Sequence, residues 1–250
     1  MTLDTKKLES IASRDNANYK RYRDLKFLIE KIKYHIKRFI ELKPEREEWY
    51  QDMGRIIAIK NLENIERQIG TKINPQKEAF ATLNLNFFSE IIHPSFFEFD
   101  TIMIDGKRII EFFIEFLTAI MNEKSPNGIE NFFKGLKNEL SNSSLFCDTL
   151  TDKYKDYSQF LIKNWDEWIK ELNEYRWKSI HQSIERVING SLKAYWDKNT
   201  PREKPKIEMS EMKFHDMDIK DYIKKLESNI DSFYNESCQF IVDNFYNHSN

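Results

Sequence analysis

The stretch Asn173-Glu174-Tyr175-Arg176-Trp177-Lys178-Ser179-Ile180-His181 ends a segment in which apolar side chains recur at steps of three and four. That apolar series is Leu161, Trp165, Trp168, Leu172 and Tyr175. Its spacing predicts a bundle helix over about residues 152–183 with one buried face. The quoted stretch also brings an arginine and a histidine to the last turns of this predicted helix.

Similar apolar series predict the other helices. These helices cover about residues 16–42, 44–70, 95–122, 125–140 and 218–246. Pro44 and Gly70 suit the start and the end of the second helix, which is predicted to form an antiparallel hairpin with the first. Ser95 and Glu98 have the spacing of a capping box at the start of the third. Gly106 inside that helix indicates a close helix contact.

Two regions carry strand signals. Leu83, Leu85 and Phe87 alternate with asparagines, which favours a short strand but equally suits an irregular crossover. Segments 191–196 and 207–214 flank a polar loop, so a small β-hairpin is predicted before the final helix. The sequence therefore predicts a mainly α protein with an N-terminal helical hairpin, a helical bundle and this β-hairpin.

The composition favours a globular chain rich in helices. Its 250 residues include only 6 glycines and 6 prolines, and 32% are charged. A net charge of -2 excludes binding to polyanions through overall charge alone. Cys147 and Cys238 lack metal-ligand spacing, the N-terminus is polar, and no apolar run is long enough to span a bilayer. We expect a cytoplasmic protein without a membrane segment.

Motifs for cofactors and metals are missing from the sequence. There is no glycine-rich phosphate loop, no Cys-x-x-Cys and no His-Glu-x-x-His, so no cofactor and no metal are expected. Glu111 and Glu115 could face inward to a metal, although a polar stripe on an amphipathic helix is the simpler interpretation. His93, which precedes Pro94, is expected to serve the local backbone or to lie in solvent.

Residues 20–43 carry the clearest local charge bias. This segment holds nine lysines and arginines against three acidic residues, with Tyr22 and Tyr34 interleaved. Basic and aromatic side chains together hold RNA through phosphate contacts and stacking. The alternative is a solvated helix face that the acidic residues of segment 45–52 balance.

Arg176 and His181 have the residue types needed to cut RNA without a metal. A histidine can take a proton from a 2′-hydroxyl or give one to the leaving 5′-oxygen, and an arginine can hold the phosphate. Because RNA supplies its own nucleophile, no serine, cysteine or metal is required. Five residues on a helix turn through about 140°, so either the helix loosens near Ser179 or a second subunit completes the site.

A structural role is the alternative for both residues. An arginine and a histidine at this spacing occur by chance in many helices. Arg176 would then pair with a carboxylate such as Glu174 of another chain or Glu185, and His181 would cap or pack. The helix would then belong to a scaffold that carries no chemistry.

The stretch resembles the HEPN superfamily (higher eukaryote and prokaryote nucleotide-binding domains), which are α-helical bundles marked by Arg-x(4 to 6)-His late in the domain. Arg176 and His181 match this spacing. Further similar features are Glu174-Tyr175-Arg176, the preceding Trp165 and Trp168, and Phe97-Glu98-Phe99-Asp100 ahead of Arg108 and Glu111. The similarity spans about residues 95–183. It divides the chain into an N-terminal helical hairpin and crossover, residues 1–92, and a HEPN-like bundle with a β-hairpin insertion, residues 93–250.

The resemblance implies a metal-independent endoribonuclease of a defence or toxin–antitoxin type system. In such proteins a homodimer brings two motifs into one cleft, and an antitoxin or defence protein can be the partner. By resemblance, Arg176 would bind phosphate and His181 would be the general acid and base. Asn173, Lys178 and Ser179 would contact the RNA.

One position departs from the family pattern. Active members commonly have a polar residue directly after the arginine, whereas this sequence has Trp177 there and Asn173 one turn earlier. The alternative function is therefore a non-catalytic HEPN-like interaction module. Such a module would be an antitoxin or accessory subunit that binds RNA or protein.

Overall fold

Helices form most of the chain that the structure describes, as the apolar series predict. The computed structural model describes residues 5–75, 82–86, 93–121, 128–141, 154–181, 188–197 and 199–246. Within these ranges, the side chains of 82–86, 139–141, 176–181 and 188–189 are outside the description. The mainly α class is confirmed.

The helices are numbered in chain order. They are α1 Thr5–Ala12, α2 Asn16–Glu41, α3 Lys43–Ile69, α4 Ser95–Ile120, α5 Ile129–Ser141, α6 Lys155–Asn164, α7 Lys170–His181 and α8 Ile219–Phe245. The predicted limits of α2, α3, α4 and α8 are confirmed to within two residues. Helix α3 ends as predicted, because Gly70 adopts a left-handed conformation and its N–H bonds to the Glu66 carbonyl.

The strands form two small antiparallel sheets. They are β1 Thr82–Asn86, β2 Ile188–Asn189, β3 Ser191–Tyr195, β4 Lys206–Met209, β5 Lys213–Phe214 and β6 Met217–Asp218. The first sheet has the order β1-β3-β4 and the second β2-β5-β6. The register pairs Leu83 with Ala194 and Ala194 with Ile207, so β1 joins the predicted hairpin of β3 and β4.

The second strand of the predicted hairpin is shorter than expected. The sequence predicted it over 207–214, but its pairing with β3 ends at Met209. Just beyond it, the Ser210 hydroxyl accepts a hydrogen bond from the Ser191 N–H at 2.7 Å, which closes the ladder. Residues His215 and Asp216 have positive φ angles of 47° and 64°, and they turn β5 back onto β6.

The chain divides into two units of dense contacts. The first contains Met1–Ile36, Asp100–His181 and Lys224–Asn250, and the second contains Lys37–Phe99 and Gln182–Ile223. The boundaries fall inside α2, α4 and α8. These spatial units differ from the predicted division into residues 1–92 and 93–250, which followed the extent of the family resemblance.

Aromatic rings from several helices fill the core of the first unit. Phe113 of α4 packs edge-on against Phe233 of α8, with ring centroids 5.4 Å apart. Gly106 confirms its predicted close contact, since a Cβ atom there would lie 3.3 Å from Leu172 Cδ1 and 3.5 Å from Ile32 Cδ1. Close packing of α2, α4 and α7 at this glycine holds the helix that carries the candidate motif.

Helix α3 packs against the first sheet in the second unit. Glu66 at the end of α3 accepts a hydrogen bond from the Ile73 N–H at 2.8 Å and pairs with Arg202 in the β3–β4 loop. The Arg202 carbonyl in turn accepts a hydrogen bond from the Trp196 indole at 2.9 Å. These contacts tie the hairpin loop to the end of α3.

Candidate functional site

A π-helical turn, Trp165–Ile169, interrupts the helix that precedes the arginine–histidine pair. The sequence predicted one continuous α-helix over 152–183, so this turn is a correction. Trp165 stacks on Phe133 at 4.6 Å, and the Trp168 indole donates to Asn164 Oδ1 at 2.8 Å. A π turn accommodates one extra residue, and here it leaves both indoles buried on the core side. Such turns are frequent at functional sites.

The arginine–histidine pair lies on α7. Arg176, Lys178, Ser179 and His181 belong to this helix by their backbone, and their side chains lie outside the part of the chain that the structure describes. The α-helical backbone continues to His181, so loosening near Ser179, one of the two alternatives for the site, is not found in this backbone. Positions 176 and 181 are therefore about 140° apart around the helix axis.

The turn before Arg176 is anchored to α4 inside the first unit. Tyr175 is buried, and its hydroxyl donates a hydrogen bond to Asp100 Oδ1 at 3.1 Å. Burial raises the pKa of Asp100, and the hydrogen bond from Tyr175 opposes that rise. Asn173, one turn earlier, is half-buried. The Tyr175–Asp100 hydrogen bond thus joins the two segments in which the sequence resembles HEPN domains, residues 97–100 on α4 and residues 174–181 on α7.

The basic residues of α2 divide into cations that form ion pairs with acidic residues and cations for which no ion pair is found. Lys31 pairs with the buried Asp105 at 2.7 Å, and Lys33 pairs with Asp231 at 3.0 Å. By contrast, Lys20 and Arg23 are exposed. No ion pair of these two cations is found among the described residues.

Two large aromatic rings of α2 are exposed beside these surface cations. The exposed fraction is 67% for Phe27 and 63% for Tyr34. At 100° per residue, Lys20, Arg23, Phe27 and Tyr34 fall within about 60° around the helix axis. We call these four residues the α2 stripe. The sequence left a solvated face as the alternative, but two unburied aromatic rings indicate a surface suited to a partner.

The carboxylates considered for a metal do not converge. Glu111 is half-buried and pairs with Lys107 at 3.1 Å, while Glu115 is exposed. Within the described ranges, no group of three or more histidine, cysteine, aspartate or glutamate side chains could hold a metal ion. Cys238 is a buried thiol whose pKa is raised by burial to about 12, and Cys147 lies outside the described residues.

A buried polar cluster in the second unit decides between the two expectations for His93, because the ring serves the local backbone and does not lie in solvent. Its ring is buried, 5.4 Å from the Trp49 ring between centroids. His93 Nδ1 accepts a hydrogen bond from the Ser95 N–H at 3.1 Å and lies 2.9 Å from Ser95 Oγ. Arg46 Nη1 donates to the same Oγ at 3.2 Å. Helix α4 begins at Ser95 as predicted, but its hydroxyl serves this cluster.

The serine–histidine contact of this cluster does not make a nucleophile. Ser95 is fully buried, so a substrate cannot reach its hydroxyl. Burial, with the nearby Arg46 charge as a second cause, lowers the pKa of His93 and keeps the ring neutral. The cluster therefore positions Arg46, a residue that the sequence analysis did not single out and that lines a cavity.

Together these features define a mainly α protein with two small antiparallel sheets and an arginine–histidine pair near the end of a helix. No protein-family model, no curated protein and no solved structure matches the chain. Among the described helices, none combines the length and the apolar character needed to cross a membrane.

Proposed function

We propose that this protein is a metal-independent endoribonuclease of the HEPN type, acting in a defence or toxin–antitoxin type system. Arg176 binds the scissile phosphate, and His181 acts as general acid and base. The observation that carries this proposal is the regular backbone of α7 up to His181, which keeps both residues on the last two turns of one helix. A histidine can transfer the protons and an arginine can stabilise the charge on the phosphate, which are the two functions that RNA transesterification needs.

A homodimer is part of this proposal. Because positions 176 and 181 are about 140° apart on a regular helix, one chain does not readily bring both groups to the same phosphate. A second copy of α7 across a cleft would supply the missing group. Fixed positioning also matters for catalysis, since small displacements cost large factors in rate. The Tyr175–Asp100 hydrogen bond holds the preceding turn of α7 in place.

The α2 stripe supports RNA as the substrate. Exposed Lys20 and Arg23 can contact phosphates, and Phe27 and Tyr34 offer ring faces on which unpaired bases stack. Both α7 and this part of α2 belong to the first unit. The proposed substrate is therefore single-stranded RNA.

A cleavage assay in EDTA tests the catalytic roles. Wild type should cleave unstructured RNA, and Arg176→Ala and His181→Ala should each reduce the rate at least a hundredfold, as expected for loss of a general acid and base or of an oxyanion donor. Lys170→Ala is the matched control, because it removes an exposed cation of the same helix. Equal cleavage by wild type and His181→Ala would contradict the proposed role.

A mixing experiment tests the shared site. Heterodimers formed by co-expression of the Arg176→Ala and His181→Ala chains keep one intact arginine and one intact histidine. If the cleft takes one group from each chain, these heterodimers should regain part of the activity that each homodimer lacks. Monomeric wild-type protein with full activity would exclude the dimer.

The non-catalytic module remains the second candidate, because Trp177 stands where active HEPN proteins commonly have a polar residue. This alternative predicts an RNA or protein complex without cleavage. Binding of RNA by wild type, with unchanged RNA length after prolonged incubation in EDTA, would favour it over the enzyme.

Substitutions in the α2 stripe test RNA contact independently of cleavage. The double variant Phe27→Ala/Tyr34→Ala should weaken RNA binding by roughly tenfold or more, because stacking contributes about 1–3 kcal/mol per base. Fluorescence anisotropy with labelled RNA, using the inactive His181→Ala background, measures this loss. Phe97→Ala is the control, since its ring has a similar exposed fraction of 66% and lies on α4. If Phe97→Ala weakened RNA binding as much as the double variant, the α2 stripe would not be the surface that contacts RNA.

A further inference from the structure

His93 caps the start of α4 with two of its atoms. Its Nδ1 accepts a hydrogen bond from the Ser95 N–H at 3.1 Å, and its carbonyl accepts one from the Phe96 N–H at 2.9 Å. The first amides of a helix have no acceptor within the helix, so these two bonds supply the partners that they lack. Because His93 and Ser95 are both buried, the Ser95 amide depends on the imidazole rather than on water.

This arrangement requires the neutral form of the imidazole ring. An N–H group can only donate, so Nδ1 must carry a lone pair and the ring proton must lie on Nε2. Arg46 Nη1 donates to Ser95 Oγ at 3.2 Å, so this hydroxyl can direct its own proton toward His93 Nδ1, which lies 2.9 Å away. Nδ1 is therefore the acceptor on which the cluster depends.

A proton on Nδ1 would oppose this arrangement in three ways. It would leave the Ser95 N–H facing another donor. It would place a positive charge one hydroxyl group away from the buried guanidinium of Arg46. It would also bring this charge to the N-terminus of α4, where the helix dipole favours negative charge. All three effects destabilise the protonated ring in its present position.

The charged and titratable groups around the ring come from α3 and α4. Burial is the main cause that lowers the pKa of His93, Arg46 is the second, and of the described groups only Glu45 opposes them. Tyr50 lies 6.2 Å away between ring centroids, and burial raises its pKa, so it stays neutral while His93 titrates. The half-buried Glu98 lies in the first turn of α4 and is not among the groups that shift the pKa of His93.

We propose that the His93–Ser95–Arg46 cluster is an acid-sensitive switch that releases the first turn of α4 when His93 is protonated. The imidazolium then leaves the cluster for solvent, and the amides of Ser95 and Phe96 lose their acceptors. The three residues lie in the second unit, so this switch does not depend on the ribonuclease proposed for α7.

The direction of the pH dependence follows from the lowered pKa of His93 in the folded protein. The open form of the first turn binds a proton at the usual histidine pKa of about 6.5, whereas the closed form binds it only at lower pH. The closed form therefore has its full stability above pH 6.5 and loses stability as the pH falls below this value.

Hydrogen exchange of the full-length protein, measured by NMR, tests this switch. Protection factors, which correct for the pH dependence of chemical exchange, are compared at pH 7.5 and pH 5.0. Those of the Ser95 and Phe96 amides should fall by about tenfold or more, and those of Ala58 and Leu62 within α3 by less than about threefold. Constant protection at Ser95 and Phe96 would overturn the proposal. An equal loss at all four amides would also overturn it, because it would indicate global unfolding.

A pair of variants assigns the effect to His93. His93→Asn keeps an acceptor for the Ser95 N–H but cannot titrate, so protection of this amide should be the same at both pH values. His215→Asn is the matched control, because His215 is an exposed histidine of the same unit and its positive φ angle of 47° suits asparagine. It should keep the full pH dependence. A pH dependence in His93→Asn equal to that of wild type would contradict the switch.

The His93 ring in the wild-type protein provides a measurement that needs no variant. Its 15N chemical shifts should show a proton on Nε2 alone at pH 7.5. The ring should become half-protonated only below the usual histidine pKa of about 6.5. A proton on Nδ1 at pH 7.5, or half-protonation at or above pH 6.5, would overturn the proposal.

Discussion

At the scale of single residues, Tyr175 links the helix of the arginine–histidine pair to α4. Its hydroxyl donates to Asp100 Oδ1 at 3.1 Å, in a setting where burial raises the pKa of Asp100. Because the folded pKa of this carboxyl lies above the unfolded one, Asp100 contributes most to stability at low pH. Its contribution falls as pH rises through the folded pKa. Tyr175 limits that loss by stabilising the carboxylate.

Tyr175→Phe should therefore destabilise the protein more at neutral than at acidic pH. We expect a loss of about 1–2 kcal/mol in the free energy of unfolding at pH 7, because a half-buried carboxylate loses a donor. The loss should shrink as pH falls through the folded pKa of Asp100. Urea unfolding at both pH values measures it.

Tyr22→Phe is the control for this prediction. The Tyr22 hydroxyl is buried in the same unit but has no hydrogen-bond partner. Its removal should cost little at either pH. A Tyr175→Phe loss that is the same at pH 7 and pH 4 would mean that the carboxylate does not depend on this donor.

At the scale of elements, the π turn between α6 and α7 was not predictable from the apolar series. Steps of three and four fit both a continuous α-helix and one with an inserted residue. What selects the π turn is tertiary packing, namely the stack of Trp165 on Phe133 and the bond from Trp168 to Asn164. The split of the predicted strand 207–214 was missed for a similar reason, because Lys213 and Phe214 leave β3 and pair with β2 and β6.

Deletion of Glu167 should remove the π turn at a moderate cost. This residue is exposed, and without it the segment can form α-helix while α7 keeps its buried face. Deletion of Lys163 is the matched control, since it breaks the same exposed Lys163–Glu167 ion pair. It also moves Asn164 and Trp165 by one position, which takes Trp165 away from Phe133.

The two deletions are compared by the free energy of unfolding in urea. We expect the variant without Glu167 to lose less than half as much stability as the variant without Lys163. A larger loss on deletion of Glu167 would show that the π turn is required for packing, and not an insertion that the fold tolerates.

At the scale of the whole molecule, the sequence predicted the limits of the helices better than it predicted which segments pack together in one unit. The limits of α2, α3, α4 and α8 follow from apolar spacing and from breakers such as Gly70, which act locally. The two contact units interleave segments distant in sequence, with boundaries inside α2, α4 and α8. Local sequence patterns do not show which distant segments pack together. Arg46 was missed for the same reason, because its burial depends on Ser95 and Phe39.

Analysis of the RNA ends produced in EDTA tests the ribonuclease proposal most directly. Attack by the 2′-hydroxyl, with His181 exchanging the protons, leaves a 2′,3′-cyclic phosphate and a 5′-hydroxyl. We predict that mass spectrometry detects these ends for wild type and no cleavage products for His181→Ala. An oligonucleotide of the same sequence in which every sugar is 2′-deoxy should not be cleaved, because it lacks the attacking hydroxyl. Intact RNA with wild type, or the same products from His181→Ala, would contradict the account.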